Sequence, residues 1–350
     1  QPLPLSERIG RDDDLASDEG KLALPRVAFE VSTRINDVTP ITTTGLVTLA
    51  LLSRGDRGFT LAETIETLEP FLDYVQERGF PTTFGDGFTS PDEVEAALED
   101  LHANGVVKRI DGLTEVVYTI GPDEHLEAAY YRNTIIHFFI TTGIAELAAT
   151  QALIHGIPVT EEVILERAFA MRDLLKFEFF FASRKEFTDE IMAEIDRFRA
   201  GDGHIDSIHD IDVDSVAPAK SPVVLRPFLE AYYVVARALS SFADDPVTSD
   251  DLATAALRMG EQLWAQDVIQ NHEAVSTSLF GSCIELIENR GLLDAEAPER
   301  VAFLAEVTDL LNAVQTIAAA RGVESPSGTA AAIEAAVAAA TGSGGDLATE

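Results

Sequence analysis

Apolar residues recurring at steps of three and four run through most of this chain, and they commit it to helices that pack through one face. The pattern is cleanest near the end. Val301, Leu304, Val307, Leu310, Leu311, Val314, Ile317 and Ala318 form one stripe and predict a helix over Ala297–Ala320. From Pro122 to about Arg321 nearly everything reads as helix, apart from a polar stretch at Gly201–Pro222 (GDGHIDSIHDIDVDSVAPAKSP) that has no helical period.

The first part is more varied. Leu24, Val27, Phe29, Val31 and Ile35 fall roughly on one stripe of a helix over Leu22–Val38, which Thr39-Pro40 ends because the residue before proline is pushed out of helical geometry. The threonines at 42–44 offer N-caps for an apolar helix over Gly45–Leu52. Thr60 and Ser90 then start two helices, the second with Pro91 in its first turn followed by Asp92 and Glu93. After Gly105, the runs VVKRI (106–110) and TEVVYTI (114–120) flank Asp111-Gly112, a hairpin signal. Helix, helix, hairpin is the order of a winged helix. The expected fold is therefore mostly α, a helical bundle region with a small winged-helix-like module carrying a β-hairpin. It divides into an acidic leader (1–21), helices plus the winged module (22–121), a helical C-terminal domain (122–322) and an Ala/Gly-rich tail (323–350). A first residue of Gln rather than Met suggests a segment of a longer protein.

Charge narrows the function. Lys and Arg number 25 against 60 Asp and Glu, a net −35, so polyanions should be repelled and nucleic-acid binding disfavoured. The second helix of the winged module sharpens this, since Pro91–Asn104 carries five carboxylates and neither Lys nor Arg to meet phosphates or base edges. The lone Cys283 sits in an apolar pattern, as a buried structural cysteine would, and fits a reducing compartment. The most apolar stretch, Thr134–Val159, is interrupted by His137, Glu146, His155 and Gly156 and falls short of a membrane span. Asp210-x-Asp212-x-Asp214 lacks the glycine and glutamate of a calcium loop, and His209 to Asp214, an H-x4-D pair, lies among like charges without apolar walls. No catalytic, cofactor-binding or metal-binding residue is assigned, and no cofactor is expected.

Two stretches stand out. In Tyr130–Phe139 (YYRNTIIHFF), Asn133 and His137 lie four apart, on one face of a continuous helix, with Arg132 beside them. They either satisfy each other inside a core or contact a partner domain or ligand. In Met171–Phe187 (MRDLLKFEFFFASRKEF), four basic residues against two acidic ones up to Lys185 make a locally basic, Phe-rich patch. Lys176, Phe179, Phe180 and Lys185 are candidates for a membrane interface or domain seam, against ordinary core packing of Phe177, Phe180 and Phe181.

Within and around these stretches, Phe29–Leu52, Tyr130–Glu146, Leu174–Phe181 and Leu225–Leu239 (LRPFLEAYYVVARAL) resemble, in order, segments downstream of the acyltransferase domain in bacterial membrane-associated glycerol-3-phosphate acyltransferases. The likeness runs from about residue 22 to about 300 and is most specific at Ile35-Asn36, Thr39-Pro40 and Tyr131-Arg132-Asn133 with His137. It implies an enzyme that moves a fatty acyl group from acyl-CoA or acyl-carrier protein to sn-glycerol 3-phosphate at the cytoplasmic face of the cell membrane. The family's catalytic H-x4-D sits in an apolar context absent from this sequence, so this chain would be an accessory C-terminal region, inactive alone. Its partners would be the catalytic domain of the same polypeptide and the membrane surface, with no nucleic acid. The residues alone also allow a winged-helix regulator with a helical ligand-binding half.

Overall fold

The computed structural model describes residues 18–53, 57–85, 90–111, 114–121, 123–200 and 220–320. The His209–Asp214 pair, the Asp-rich stretch around it, Gly112 of the hairpin turn, most of the acidic leader and the tail from Arg321 lie outside the described residues.

Helix α1 spans Asp18–Val38 and α2 Thr43–Leu52. The Thr42 hydroxyl accepts the Gly45 N–H at 3.1 Å and so caps α2, whose residues from Gly45 to Leu52 are all buried. The winged module follows: β1 (Phe59–Thr60), α3 (Leu61–Arg78), α4 (Pro91–Ala103), β2 (Lys108–Ile110) and β3 (Val117–Thr119). Thr60 and Glu63 close a capping box at the start of α3. At the end of α4 the chain turns through Gly105 at φ 82°, and the Val106 N–H returns to Leu101 O at 3.0 Å. That turn places Val106 and Val107 in the core, so the strands are shorter than the apolar runs suggest. β2 and β3 pair antiparallel, and β1 adds to the other side of β3, giving the sheet order β1-β3-β2. Helix α2 packs against α3 and α4 and completes the module.

The remaining helices are α5 (His125–Asn133), α6 (His137–Ile154), α7 (Glu161–Leu174), α8 (Arg184–Ala200), the short α9 (Ser221–Val224), α10 (Arg226–Ser240), α11 (Ser249–Ala265), α12 (Thr277–Asn289) and α13 (Ala297–Ala320). Helix α10 is buried on nearly every face, with Arg226 and Glu230 paired to each other at 2.8 Å, and carries α11, α12 and α13 around it. Helix α6 plays the same part for α7, α8 and α13. One connected set of buried side chains reaches from Ile41 to Ile317, so the winged module and the helical part share a core. The fold is mostly α with one small sheet, as the sequence pattern predicts.

Three local expectations are corrected. Asn133 and His137 do not share a helix face, because the chain bends by 92° between α5 and α6. The polar stretch beginning at Gly201 does not run to Pro222: Lys220, Ser221 and Pro222 are buried, and Glu146 of α6 accepts the backbone N–H groups of Lys220 and Ser221 at 2.6 and 2.8 Å. Phe29 leaves the α1 stripe, because a helix advancing about 100° per residue puts it far round from Val27, Val31 and Ile35. Its ring meets Phe180 edge to face at 5.5 Å. Ala297–Ala319 of α13 is long and apolar enough to cross a membrane, but 61% of that window is buried and the helix lies along α10 and α6 as a core element.

Candidate functional site

A groove of about 390 Å³ opens where five elements meet: the end of α1, the end of α3 with the turn after it, the first turns of α6, the Phe-rich turn between α7 and α8, and α8 itself. Phe80, Phe138, Phe179, Phe180 and Phe181 supply apolar wall, and Asn36, Asp37, Arg78, His137, Thr141 and Glu190 supply polar groups. Stretches 101 residues apart are joined at its side, where His137 Nε2 donates to the Asn36 carbonyl at 3.0 Å. A carbonyl only accepts, so Nε2 carries the proton. Burial holds the His137 pKa below its ordinary value, which keeps the ring neutral at pH 7. Thr141 donates to Glu190 at 3.2 Å, and burial raises the Glu190 pKa. Neither Glu190 nor Asp37 has a basic partner within ion-pair distance among the described residues.

Beneath the groove lies a buried charge network. Tyr74 OH donates to Glu194 at 2.8 Å, Arg197 donates to the other oxygen of Glu194 at 2.8 and 3.1 Å, and Arg78 reaches Glu194 at 3.4 Å. Lys220 Nζ stands 4.0 Å from Glu146 and 5.1 Å from the Tyr74 ring. Burial pushes the Glu146 pKa up to about 7 against the pull of Lys220 and the two backbone donors. The network fixes α3, α6 and α8 relative to one another, which sets the groove's shape.

The candidate residues separate. His137, Phe179 and Phe180 line the groove. Phe180 is 52% exposed, whereas Phe179 is half-buried against Phe228 at 4.9 Å, Phe181 is buried and Phe177 is half-buried. Core packing therefore claims Phe181 and not Phe180. Lys176 is bonded to Asp173 and Asn289 at 3.1 and 2.6 Å, and the exposed Lys185 pairs with Asp189 at 2.5 Å. Arg132 points away from the groove, into the core, where it is bonded to Glu273 and to Asn133. Asp37 and Glu190 escaped the sequence reading because lone carboxylates carry no signal in so acidic a chain.

Under the Phe-rich turn, burial pushes the Glu178 carboxyl up to about 7 from its ordinary 4.5. Between those pH values the folded chain keeps a proton that the unfolded chain has released, so this contribution to stability is complete below the lower value and lost as pH rises through 7. Glu178→Gln should therefore flatten the fall in unfolding free energy, read by urea titration, between pH 6 and pH 8.5 by about 1 kcal/mol. An unchanged slope would place the titration elsewhere. Cys283, buried in the same region, has its thiol pKa raised well above normal by burial, which suits packing and not nucleophilic attack.

Residues 2–296 match the family described as the glycerol-3-phosphate acyltransferase C-terminal region. The chain is 32% identical over 332 residues to acyltransferase plsB1 of Mycobacterium tuberculosis, covering 91% of this chain and 53% of that protein, and equally to its Mycobacterium bovis counterpart. It is 23% identical over 303 residues to the glycerol-3-phosphate acyltransferase of Pasteurella multocida, covering 83% of this chain and 36% of that protein. The chain thus spans about half, or less, of the length of these relatives. Because the family match takes in every element from α1 to α12, the segments that build the groove included, this chain belongs to the glycerol-3-phosphate acyltransferase C-terminal region family.

Proposed function

We propose that this chain is the accessory C-terminal part of a glycerol-3-phosphate 1-O-acyltransferase, which carries a fatty acyl group from acyl-CoA or acyl-carrier protein to sn-glycerol 3-phosphate in phospholipid synthesis. Its work is to pack against and position a catalytic domain in the same polypeptide. The observation that carries this reading is the family match over residues 2–296, made by a chain that covers only 36–53% of its relatives. The regulator reading has weaker support. The wing's Lys108 and Arg109 are held by Glu124 and Glu99 at 3.1 and 2.8 Å, and its second helix presents carboxylates. The polypeptide would sit peripherally on the cytoplasmic side of the cell membrane. Its lipid contact belongs to the catalytic part, because Lys176 and Lys185 are already paired with acids and a net charge of −35 is repelled by anionic headgroups.

Incubated alone with palmitoyl-CoA and glycerol 3-phosphate, the chain should form no acylated product, whereas the full-length polypeptide should. Turnover by the isolated chain that His209→Ala abolishes would overturn the proposal.

A further inference from the structure

Helix α1 is apolar on two opposite sides, and the described structure seats each only in part: Phe29 on the groove side is 44% exposed, and on the far side Val27 is buried while the residues beyond it are open. Toward the groove, Phe29 rests on Phe180, and Asn36 holds His137 through its carbonyl. On the far side, Val31, Ile35 and Val38 fall within about 60° of one another by helical geometry. Their exposure climbs along the helix from 37% to 56% to 72%. Of residues 27–38 only Val27 is buried. A helix that is apolar on both sides is stable between two packed layers, and beyond Val27 the outer layer is missing among the described residues.

We propose that the outer stripe of α1, formed by Val31, Ile35 and Val38, is the seam on which the preceding part of the same polypeptide docks, through an apolar surface of its own. The inference rests on the reading of this chain as one part of a larger acyltransferase. Three observations select that occupant. The relatives carry about as much chain again outside the match, and the family is by its description the C-terminal region, so the remainder lies upstream. Helix α1 lies at the N-terminal end of the family match, so an upstream domain is tethered beside this face at high effective concentration. Against a bilayer, Glu30 and Asp37 sit on the same helix in a chain of net charge −35, and the single basic residue between them, Arg34, is paired with Glu30 at 2.7 Å.

The test is photocrosslinking in the full-length polypeptide, with a benzophenone side chain placed in turn at Ile35, at Val38 and, as an exposed control on α11, at Leu257. Adducts from Ile35 and Val38 to peptides upstream of residue 1 should exceed those from Leu257 about ten-fold, as for covered against open positions. Adducts confined to lipid, to a second copy's residues 1–350, or no higher than the control overturn the seam. Acyl transfer is measured on the same samples. Active protein without upstream adducts removes the seam and leaves the proposed function, while upstream adducts in a polypeptide that never transfers acyl groups do the reverse. Ile35→Asp with Val38→Asp gives an independent reading: it should lower the melting temperature of the full-length protein by several degrees and leave that of this chain, where both positions are open, unchanged. Equal shifts in both would overturn the seam.

Discussion

Arg300→Met should lower the stability of this chain by about 3–5 kcal/mol, the cost of leaving a buried, charge-bearing hydrogen-bond cluster half made. Arg300 lies in the first turn of α13 and is wholly buried. Among the described residues it has no ion-pair partner. Its guanidinium donates to four backbone carbonyls: Leu292 and Leu293 at 3.1 and 2.6 Å, and Ala243 and Asp245 at 2.6 and 3.0 Å. Those carbonyls follow the C-terminal ends of α12 and α10, where helix dipoles leave partial negative charge and unpaired acceptors. One side chain thus ties the exits of two helices to the entry of a third. Methionine fills similar space and leaves all four acceptors dry. Lysine recovers only part, because a point ammonium cannot span both turns as the planar fork does. Arg258→Met, on an exposed face of α11, supplies the control and should stay within about 0.5 kcal/mol. Urea unfolding followed by helical circular dichroism reads both. Equal midpoints would show that water replaces the lost donors and that the cluster is structurally unimportant.

Arg300 also marks where the sequence stops being readable. The stripe from Val301 to Ala318 gives α13 with its boundaries, and Thr42, Thr60 and Ser90 mark helix starts, because caps and periodicity are local. The sequence Ala-Pro-Glu-Arg at the start of α13 looks like an ordinary solvated first turn, and its four carbonyl partners lie 7 to 57 residues away. Lys220 and Ser221 read as loop for the same reason: the carboxylate that draws them inward, Glu146, is more than 70 positions earlier. The bend between α5 and α6 has neither Gly nor Pro to announce it. Packing imposes it, since Ile135 and Ile136 at the corner are themselves buried. At the groove, His137 and the phenylalanines were visible as unusual residues in their surroundings. Asp37 and Glu190 become notable only when the fold brings them to an aromatic wall with no ion-pair partner among the described residues.

Breaking the Arg132–Glu273 pair from either side should cost about 3–5 kcal/mol, and replacing both partners with apolar residues should cost far less than the sum. Both side chains are almost wholly buried, and Arg132 stacks over Phe228 at 5.7 Å while Asn133 accepts from its Nη2 and Nε at 2.8 and 3.2 Å. The pair fastens α5 to the turn at His272–Ala274. That turn is held a second time by Glu230, which accepts the backbone N–H groups of Gln270 and Asn271 at 3.1 and 2.8 Å. Glu273→Leu leaves a buried guanidinium with only a neutral amide beside it, and Arg132→Met strands a buried carboxylate. The double variant strands neither, so a double-mutant cycle in urea should return a coupling of at least about 2 kcal/mol. The same cycle decides what Arg132 is for. If it binds a ligand or partner, acyl transfer by the full-length polypeptide should stay impaired in the double variant, where stability is regained but the guanidinium is gone. If it is a fastening of the core, the two single variants should lose stability and activity in parallel, and the double variant should regain both. The inward turn of Arg132, against the 52% exposure of Phe180 in the groove wall, favours the second outcome: Arg132 holds the scaffold behind the groove.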